Sequence, residues 1–376
     1  MAKIAYAHDG TSVYDPLFLE YLARDNIVYF LTFNHDPQFV PDKIEVTKIH
    51  EPFHASSVEI ELIEGLRMYI FFLLRSLLLW VYLKRLKPDV LLGCMATKYG
   101  FYSALSRFKP FILIIWGSDV LIAPKRFFFF RFMAKFALKK ANAVILDSEV
   151  QKNAVIKLGC ASGKILKFPW FDLEQVRVTR SNIEIRRNLG WQNNPIVLCS
   201  RRHDPICGVQ YVIEAIPYVV QAKPEARFLI LGYGKLTQKF MRRVQELGVG
   251  EYVKFLGNVT REEVITYLNA ANIYVSGSLS DGTSASLLEA MALEIPPVVT
   301  NIPGNREWIE DGWNGYLVPV KDSQQLAEKI ILLLKDEDLR QQTGKRAFET
   351  VRAKVDWHEN STALGNLISR LVRESI

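Results

Sequence analysis

Short apolar runs alternate with helix-length amphipathic runs along the whole of this 376-residue chain. In the first half, KIAYA, NIVYFLTF, DVLLG, FILIIWG and AVILDS read as strands buried on both faces, as in a parallel sheet. PIVLCS, RFLILG, VKFLG, NIYVSGS and PPVVT repeat the pattern in the second half. Strand-then-helix alternation predicts an α/β fold, and its recurrence predicts two doubly wound domains. The pattern breaks in FPWFDLEQVRVTRS (Phe168 to Ser181), whose polar, irregular composition marks the expected linker. From about Asp356 the chain reads as a helix with no strand after it. The expected division is 1–176, 177–355 and a terminal helix over 356–376. Open α/β sheets bind ligands beyond the carboxyl ends of their strands, so the segments that follow strands carry the candidate chemistry.

The segment after NIYVSGS is SDGTSASLLEAMA, with Asp281 and Glu289 on either side of a small, hydroxyl-rich turn. Leu288, Met291, Ala292 and Ile295 have the spacing of one helix face, and Thr283 or Ser284 is the expected N-cap. A helix start behind a strand, with Gly282 leaving its amides accessible, suits an anion such as phosphate. Glu289 lies about 100° round from Leu288, on the shoulder of the buried face. There it either accepts bonds from sugar or ribose hydroxyls, or pairs with a surface base.

Composition narrows the class. The length favours two domains, and 49% hydrophobic with 23% charged residues is ordinary for a globular chain. The most apolar run, MYIFFLL, is bounded by Arg67 and Arg75 and is too short to span a bilayer. No signal-peptide pattern opens the sequence, and Cys94, Cys160, Cys199 and Cys207 lack metal or redox spacing, so a cytoplasmic location is expected. The histidines also lack ligand spacing. The one Asp-x-Asp string, Asp336 to Asp338, reads as a helix start and not as a metal clamp.

The net charge of +7 is unevenly spread. Residues 1–64 hold 4 Lys/Arg against 11 Asp/Glu, residues 65–180 hold 20 against 6, and the remainder holds 23 against 23. The excess centres on PKRFFFFRFMAKFALKKA, where Lys125, Arg126, Arg131 and Lys135 flank Phe128 and its neighbours. An apolar helix upstream ends in Lys84, Arg85 and Lys87. Bases beside large aromatics suit an anionic membrane surface. Single-stranded nucleic acid is the competing partner, but four consecutive phenylalanines fit lipid better than spaced bases. A core helix with a solvated basic edge is the plain alternative. The expected partner is the membrane, with no nucleic acid, and the expected location is the inner face of the cell membrane.

The run from SDGTSASLLEAMA through LEIPPVVTNIPGNREWIEDGWNGYLV resembles the donor-binding core of the family 4 retaining glycosyltransferases, which have the GT-B fold. FLILGYGKL, VKFLGNVTREEV, IIWGSDVL, ANAVILDSE and ILKFPWFDLEQV extend the resemblance. It implies two Rossmann-like domains facing a cleft, N-terminal for acceptor and C-terminal for donor, with the last helix crossing back to the first. It also implies that Glu289 binds the donor ribose and Asp281 the transferred sugar, while Gly282, Thr283, Ser284 and Ala285 cradle sugar and diphosphate. Asp281 is one methylene shorter than the family's usual Glu. Gly232, in the loop of FLILGYGKL, falls on the donor side.

In CSRRHDPICGV, Arg201 or Arg202 matches the family's phosphate-binding Arg, and Cys207 stands where its Lys is expected. A neutral thiol cannot stabilise charge on a leaving diphosphate, whereas a second guanidinium can. WGSDV matches the family's His-Gly-Ser-Asp element with Trp116 in place of the His. Asp119 there either faces the cleft or caps the next helix. His8, Asp9 and Gly10 occupy the place of the family's glycine-rich acceptor loop, or bond within the domain.

The implied reaction is retaining transfer of a hexose-type sugar from a nucleotide-diphosphate sugar to a saccharide or lipid-linked saccharide, in cell-surface polysaccharide or glycolipid synthesis. Neither metal nor other cofactor is implied, and Asp281 and Glu289 act as positioning groups and not as a glycosidase pair. Two other readings stay open: a nucleotide-sugar epimerase or hydrolase on the same fold, and a non-catalytic nucleotide-sugar-binding subunit.

Overall fold

Strand order parts each of the two sheets at one place. In the computed structural model, which describes residues 1–10, 15–34, 36–37, 40–50, 66–176 and 182–375, every strand pairing is parallel. The first sheet contains β1 (Lys3–Ala7), β2 (Ile27–Thr32), β3 (Glu45–Lys48), β4 (Val90–Cys94), β5 (Phe111–Ile114), β6 (Ala143–Leu146) and β7 (Ile165–Lys167). Its order is β3-β2-β1-β4-β5-β6-β7. From β1 the chain winds outward through β2 and β3, then returns to the other side of β1. The loops after β1 and β4 therefore diverge and leave a crevice.

The second sheet contains β8 (Ile196–Ser200), β9 (Arg227–Leu231), β10 (Val253–Gly257), β11 (Ile273–Ser276), β12 (Pro297–Thr300) and β13 (Tyr316–Val318). Its order, β10-β9-β8-β11-β12-β13, places the same parting between β8 and β11. The ten strands read from apolar runs are all present. The three not read, β3, β7 and β13, are all edge strands. β3 and β7 are half-exposed throughout, so neither needs a continuous apolar run.

Two compact units result, Met1–Trp170 with His358–Ile376, and Phe171–Trp357. The last helix, Trp357–Arg373, belongs almost entirely to the first unit, where Gly365 lies against the Tyr21 hydroxyl. The segment expected to be a polar linker is anchored at its start. Trp170 packs within the first unit, its ring tilted 3.7 Å from that of Phe18, and Phe171 is buried in the core of the second. Residues 177–181 of that segment lie outside the described residues. Asp336 caps the helix Glu337–Lys354 through the Leu339 amide, the helix-start role its position suggested.

Backbone contact fixes the parting of the second sheet. Gly208, at φ 64°, approaches the loop after β11 so closely that an added Cβ would lie 1.8 Å from the Gly277 carbonyl oxygen. The Leu279 amide donates to the Ile206 carbonyl beside it. Gly208→Ala is therefore expected to cost about 3 kcal/mol, from a strained backbone plus a clash that only main-chain movement relieves. Gly312→Ala, also at positive φ but facing open space, is expected to cost about 1 kcal/mol. Urea midpoints at unchanged slope measure both, and equal losses would refute the close approach.

Candidate functional site

The parting between β8 and β11 gathers the residues that the sequence placed on the donor side. Arg201 follows β8 directly and reaches across to the loop after β11. Its Nη2 donates to Asp281 Oδ2 at 2.5 Å and its Nη1 to Ser284 Oγ at 2.7 Å. Burial opposes the Arg201 charge, but the Asp281 carboxylate outweighs it and holds the guanidinium above its usual range. Hydroxyls extend the network. Ser284 Oγ lies 3.2 Å from Ser286 Oγ, which lies 2.7 Å from the Tyr274 hydroxyl. Burial pushes the Tyr274 phenol up to about 12, with Arg201 pulling the other way, so it stays a neutral partner.

Ser284 is the N-cap residue of the helix Ala285–Ala292, yet its side chain makes no capping bond. Its oxygen is held by Arg201, which leaves the first-turn amides for another acceptor. The Trp308 indole donates to Thr283 Oγ1, and Gly304 packs on the Gly282 carbonyl where an added Cβ would lie 2.1 Å away. The turn is thus clamped by its own neighbours, with no Ser284 side-chain bond to the helix amides.

Glu289 is more deeply placed than its helical position suggested. The helix is buried from Ser286 to Met291 and stops before Ile295, so no shoulder faces solvent. Glu289 is 5% exposed, and its Oε1 accepts from Arg261 Nε at 3.1 Å. Arg261 is itself held by Gln175 Oε1 at 2.8 Å. The base that pairs with Glu289 is therefore real, and it is tied in place. Burial raises the Glu289 pKa above the usual carboxylate range, with Arg261 acting against the rise.

The two adjacent arginines separate. Arg202 is 71% exposed and pairs with Asp204 at 2.8 Å, away from the serine network. Cys207 is a buried free thiol in the apolar core of the second unit. Gly232, at φ 105°, lets the loop after β9 rest on the Arg201 carbonyl, where an added Cβ would lie 2.4 Å away. Sequence reasoning missed His203, whose Nδ1 lies 2.8 Å from Thr237 Oγ1, and which joins the loops after β8 and β9 through bonds with Tyr233 and Leu236. It also missed Arg261 and Gln175, which only the packing brings to Glu289.

In the first unit, His8 is 1% exposed between two carboxylates. Nδ1 lies 2.8 Å from Asp15 and Nε2 lies 3.2 Å from Asp9. Gly10, at φ 71°, packs on Pro37, so its freedom serves a loop contact. Trp116 is half-buried, with its ring 5.9 Å from both His8 and Phe18. Asp119 accepts from the Ala96 amide at 2.7 Å and the Gly117 amide at 2.9 Å. It ties the loop after β4 to the loop after β5, and burial raises its pKa against those amide bonds. Among the described residues, no group of three or more His, Cys, Asp or Glu is placed to hold a metal ion.

Comparison with known proteins identifies the family and the fold. Residues 181–350 match the family model for glycosyl transferases group 1, and residues 3–148 match that for glycosyl transferase 4-like proteins. The chain belongs to the family 4 glycosyltransferases. A phosphatidyl-myo-inositol mannosyltransferase of Mycobacterium leprae is 29% identical over 43% of this chain and 42% of its own length. A GDP-mannose-dependent mannosyltransferase of Corynebacterium glutamicum, acting on a monoacylated phosphatidylinositol monomannoside, is 30% identical over 49% of each. The match thus spans about half the length of these relatives. Among solved structures, sucrose-phosphate synthase of Thermosynechococcus elongatus has a TM-score of 0.82 at 19% identity, covering 100% of both chains. Anabaena HepE in complex with UDP-glucose has 0.80 at 19% identity, covering 99% of this chain and 100% of that one. These likenesses give the fold as GT-B.

In this family 4 chain the basic aromatic segment forms a surface. Lys125, Arg126, Arg131 and Lys135 are exposed. Phe127, Phe128 and Phe132 are 52%, 83% and 55% exposed, far more than packing would leave for phenylalanine. On the helix Leu66–Leu86, Leu73, Leu77 and Trp80 are also exposed and share one face, with Lys84 Nζ 5.9 Å from the Trp80 ring. No helix among the described residues is long and apolar enough to cross a membrane.

The raised Glu289 pKa carries a stability sign. Relative to the unfolded chain, the fold favours the protonated acid. That advantage is full below the unfolded pKa of about 4.3 and is lost as pH rises through the folded value. Ionised Glu289 therefore costs stability at neutral pH. Glu289→Gln is expected to hold or raise the thermal midpoint at pH 7.5, and to fall relative to wild type near pH 4.5. A loss of about 2 kcal/mol or more at both pH values would make the Arg261 pair a structural one.

Proposed function

We propose that this chain is a metal-independent, retaining glycosyltransferase that moves a hexose-type sugar from a nucleotide-diphosphate sugar to a saccharide or lipid-linked saccharide. One observation carries this reading. At the parting of the second sheet, Arg201 and the uncapped start of the helix Ala285–Ala292 converge on a hydroxyl-rich turn. A guanidinium beside open helix amides is a diphosphate site. The wall it belongs to holds Asp281 for sugar hydroxyls and, further along the helix, Glu289 for ribose hydroxyls.

In the proposed reaction the bond from the anomeric carbon to the phosphate oxygen breaks, and the acceptor oxygen bonds to that carbon on the same face. The acceptor proton passes to the leaving phosphate oxygen, so no strong protein base is needed. Cys207 brings no charge, which leaves Arg201 and the helix amides to stabilise the developing diphosphate. Arg202, exposed and paired with Asp204, makes a peripheral contribution to the anion's approach. Donor choice rests on Asp281, because Arg201 fixes the carboxylate that would hold the sugar. Relatives supply the donor candidates: one is named for GDP-mannose, and HepE was captured with UDP-glucose.

The proposed place of work is an anionic membrane surface on its cytoplasmic side. Support comes from the exposed phenylalanines among Lys125, Arg126, Arg131 and Lys135, and from a relative named for a phosphatidylinositol acceptor.

A thermal-shift panel of nucleotide sugars tests the donor reading, since a ligand at 100 times its Kd adds about 2.7 kcal/mol. One nucleotide sugar is expected to raise the midpoint. Asp281→Ala and Glu289→Ala are expected to weaken that donor at least tenfold, about 1.4 kcal/mol. Unchanged binding and transfer in both variants would remove the site assignment.

Co-sedimentation with liposomes tests the membrane reading separately. Wild type is expected to pellet with anionic but not neutral vesicles, and a Lys125, Arg126, Arg131 and Lys135 to Glu variant to stay in solution. Equal pelleting of the two proteins would dismiss it.

A further inference from the structure

The helix Val209–Ala222 turns one stripe away from the core of the second unit. Its buried positions are Val209, Val212, Ile213, Ala215, Ile216 and Val219. Tyr211, Glu214 and Tyr218, at i, i+3 and i+7, share the remaining side. These three form one wall of a groove of about 600 Å3, and the chain from Pro319 to Gln324, leading from β13 into the helix Ser323–Lys335, forms the other. That volume is in the range of small-ligand sites. No residue lining the groove belongs to the network of Arg201, Asp281 and Ser284.

Both walls are held in place. Arg243 Nε donates to Glu214 Oε1 at 2.7 Å and Arg243 Nη2 to Glu214 Oε2 at 3.1 Å. Two such bonds fix the plane of the carboxylate and leave it lone pairs for further donors. Opposite, Asp322 accepts from the Gln325 amide and from Gln325 Nε2, each at 2.9 Å. This pins the helix start and the turn before it, where Lys321 sits at φ 67°, a left-handed backbone that lysine seldom adopts. Tyr218 and Val320 are 49% and 42% exposed and give the groove its apolar surface.

Charge decides what fits. Glu214 is paired with Arg243, and Asp322 stands next to Lys321 in the chain, so acids and bases balance along the groove. Glu246, the other partner of Arg243, does not line it. Neither a phosphorylated ligand nor a basic peptide gains from such a balance. A wholly apolar ligand would strip water from Glu214 and Lys321 and return no hydrogen bond. A neutral ligand with both hydroxyls and apolar faces suits every wall, and a sugar ring is such a ligand. Its C–H face is weakly positive and lies on the negative face of an aromatic ring, while its hydroxyls donate to a carboxylate and accept from an ammonium.

Tyr211 and Tyr218 are separated by about 10.5 Å along the helix axis, wider than a single sugar ring. We propose that the groove binds a neutral oligosaccharide, with Tyr211 and Tyr218 each taking one of its rings and Glu214 and Lys321 taking hydroxyls. The choice of a saccharide rests on the glycosyl-transfer reading, whose product class it is. Position supports a role in retaining such a chain. An added Cβ on Gly277, in the loop after β11, would lie 3.4 Å from Tyr211 Cβ. One end of the groove therefore adjoins the loop that carries Asp281, and a saccharide held there leaves the donor turn free.

Saturation-transfer NMR on the full chain, without nucleotide sugar, tests the groove. Cellohexaose, maltohexaose, laminarihexaose and mannohexaose are the probes. At least one is expected to bind wild type with millimolar affinity or better. Tyr211→Ala and Tyr218→Ala are each expected to weaken it about tenfold, the loss of one stacked face, and Tyr218→Phe, which keeps the ring, to bind as wild type. No binding of any of the four, or unchanged binding in both alanine variants, would overturn the proposal. So would tyrosine-dependent binding of a proline-rich decapeptide in place of every saccharide, which would reassign the groove to a protein partner. The nucleotide-sugar thermal shift is read on the same preparations and is expected to be the same in Tyr218→Ala as in wild type. Its absence from wild type would count against the transferase reading alone, since the groove is probed without donor.

Discussion

Each half of this chain depends on one constraint: a parallel sheet that reverses its strand order must open there, and the loops on either side must be held apart but aligned. Both sheets meet the constraint with a cation from one loop and a carboxylate from the other. In the second unit Arg201, past β8, grips Asp281, past β11. In the first, Lys98, past β4, faces Asp9, past β1. The pairs differ in depth and therefore in strength. Arg201 and Asp281 are 15% and 24% exposed and are backed by three hydroxyls. Lys98 is largely solvated, and its partner is fixed mainly from behind by His8. Solvent screening leaves the outer pair weak, so the buried His8–Asp15 contact fixes Asp9 from behind.

Under the proposed donor reading, the same pairing would shape how a donor enters. Asp281 and Glu289 are already engaged, by Arg201 and Arg261, before any ligand is present. On that reading a diphosphate taking the Arg201 guanidinium would draw it from Asp281, and a ribose at Glu289 would share that carboxylate with Arg261. Both exchanges replace one charge-assisted bond with another, so little charge is left uncompensated at any step. The protein partners also keep the carboxylates oriented, which reduces the ordering cost of binding. The raised pKa of Glu289 means that its burial costs stability at neutral pH.

The fold was legible because its signal is repeated. Ten apolar runs became ten strands, and the three strands that escaped notice, β3, β7 and β13, are all edges, which are covered on fewer sides. Asp281, Glu289 and Arg201 stood out because each sits just past a strand or on the helix that follows one. Between Arg201 and Arg202 the sequence offered two equal alignments; a single peptide step separates them, with one side chain in the serine network and the other in solvent. Arg261, Gln175 and Asp15 were beyond reach from sequence. Each meets its partner through tertiary packing, in one case across 86 residues. The depth of Glu289 was misjudged for a similar reason, since helical periodicity places one covered face and cannot register that the surrounding elements cover the others.

The two departures from the family pattern have a common physical form. Cys207, where the pattern has Lys, is packed among apolar side chains of the second core. Trp116, where it has His, is wedged against Phe18, Trp170 and His8. Each replaces a polar group by one that contributes through packing, and each lies beside a charged group with more partners than one role requires. Arg201 serves Asp281 and Ser284 together, and His8 serves Asp15 and Asp9. A guanidinium presents five donors in a fixed plane and an imidazolium presents two, so either ion has the capacity to orient a second group while keeping its first. Cys207 in the second core and Trp116 beside His8 each add apolar packing, and lower local polarity strengthens the bonds that remain. On this account the chain places its charge on fewer, better-held groups, and Lys at 207 would set a cation among the apolar side chains of the second core.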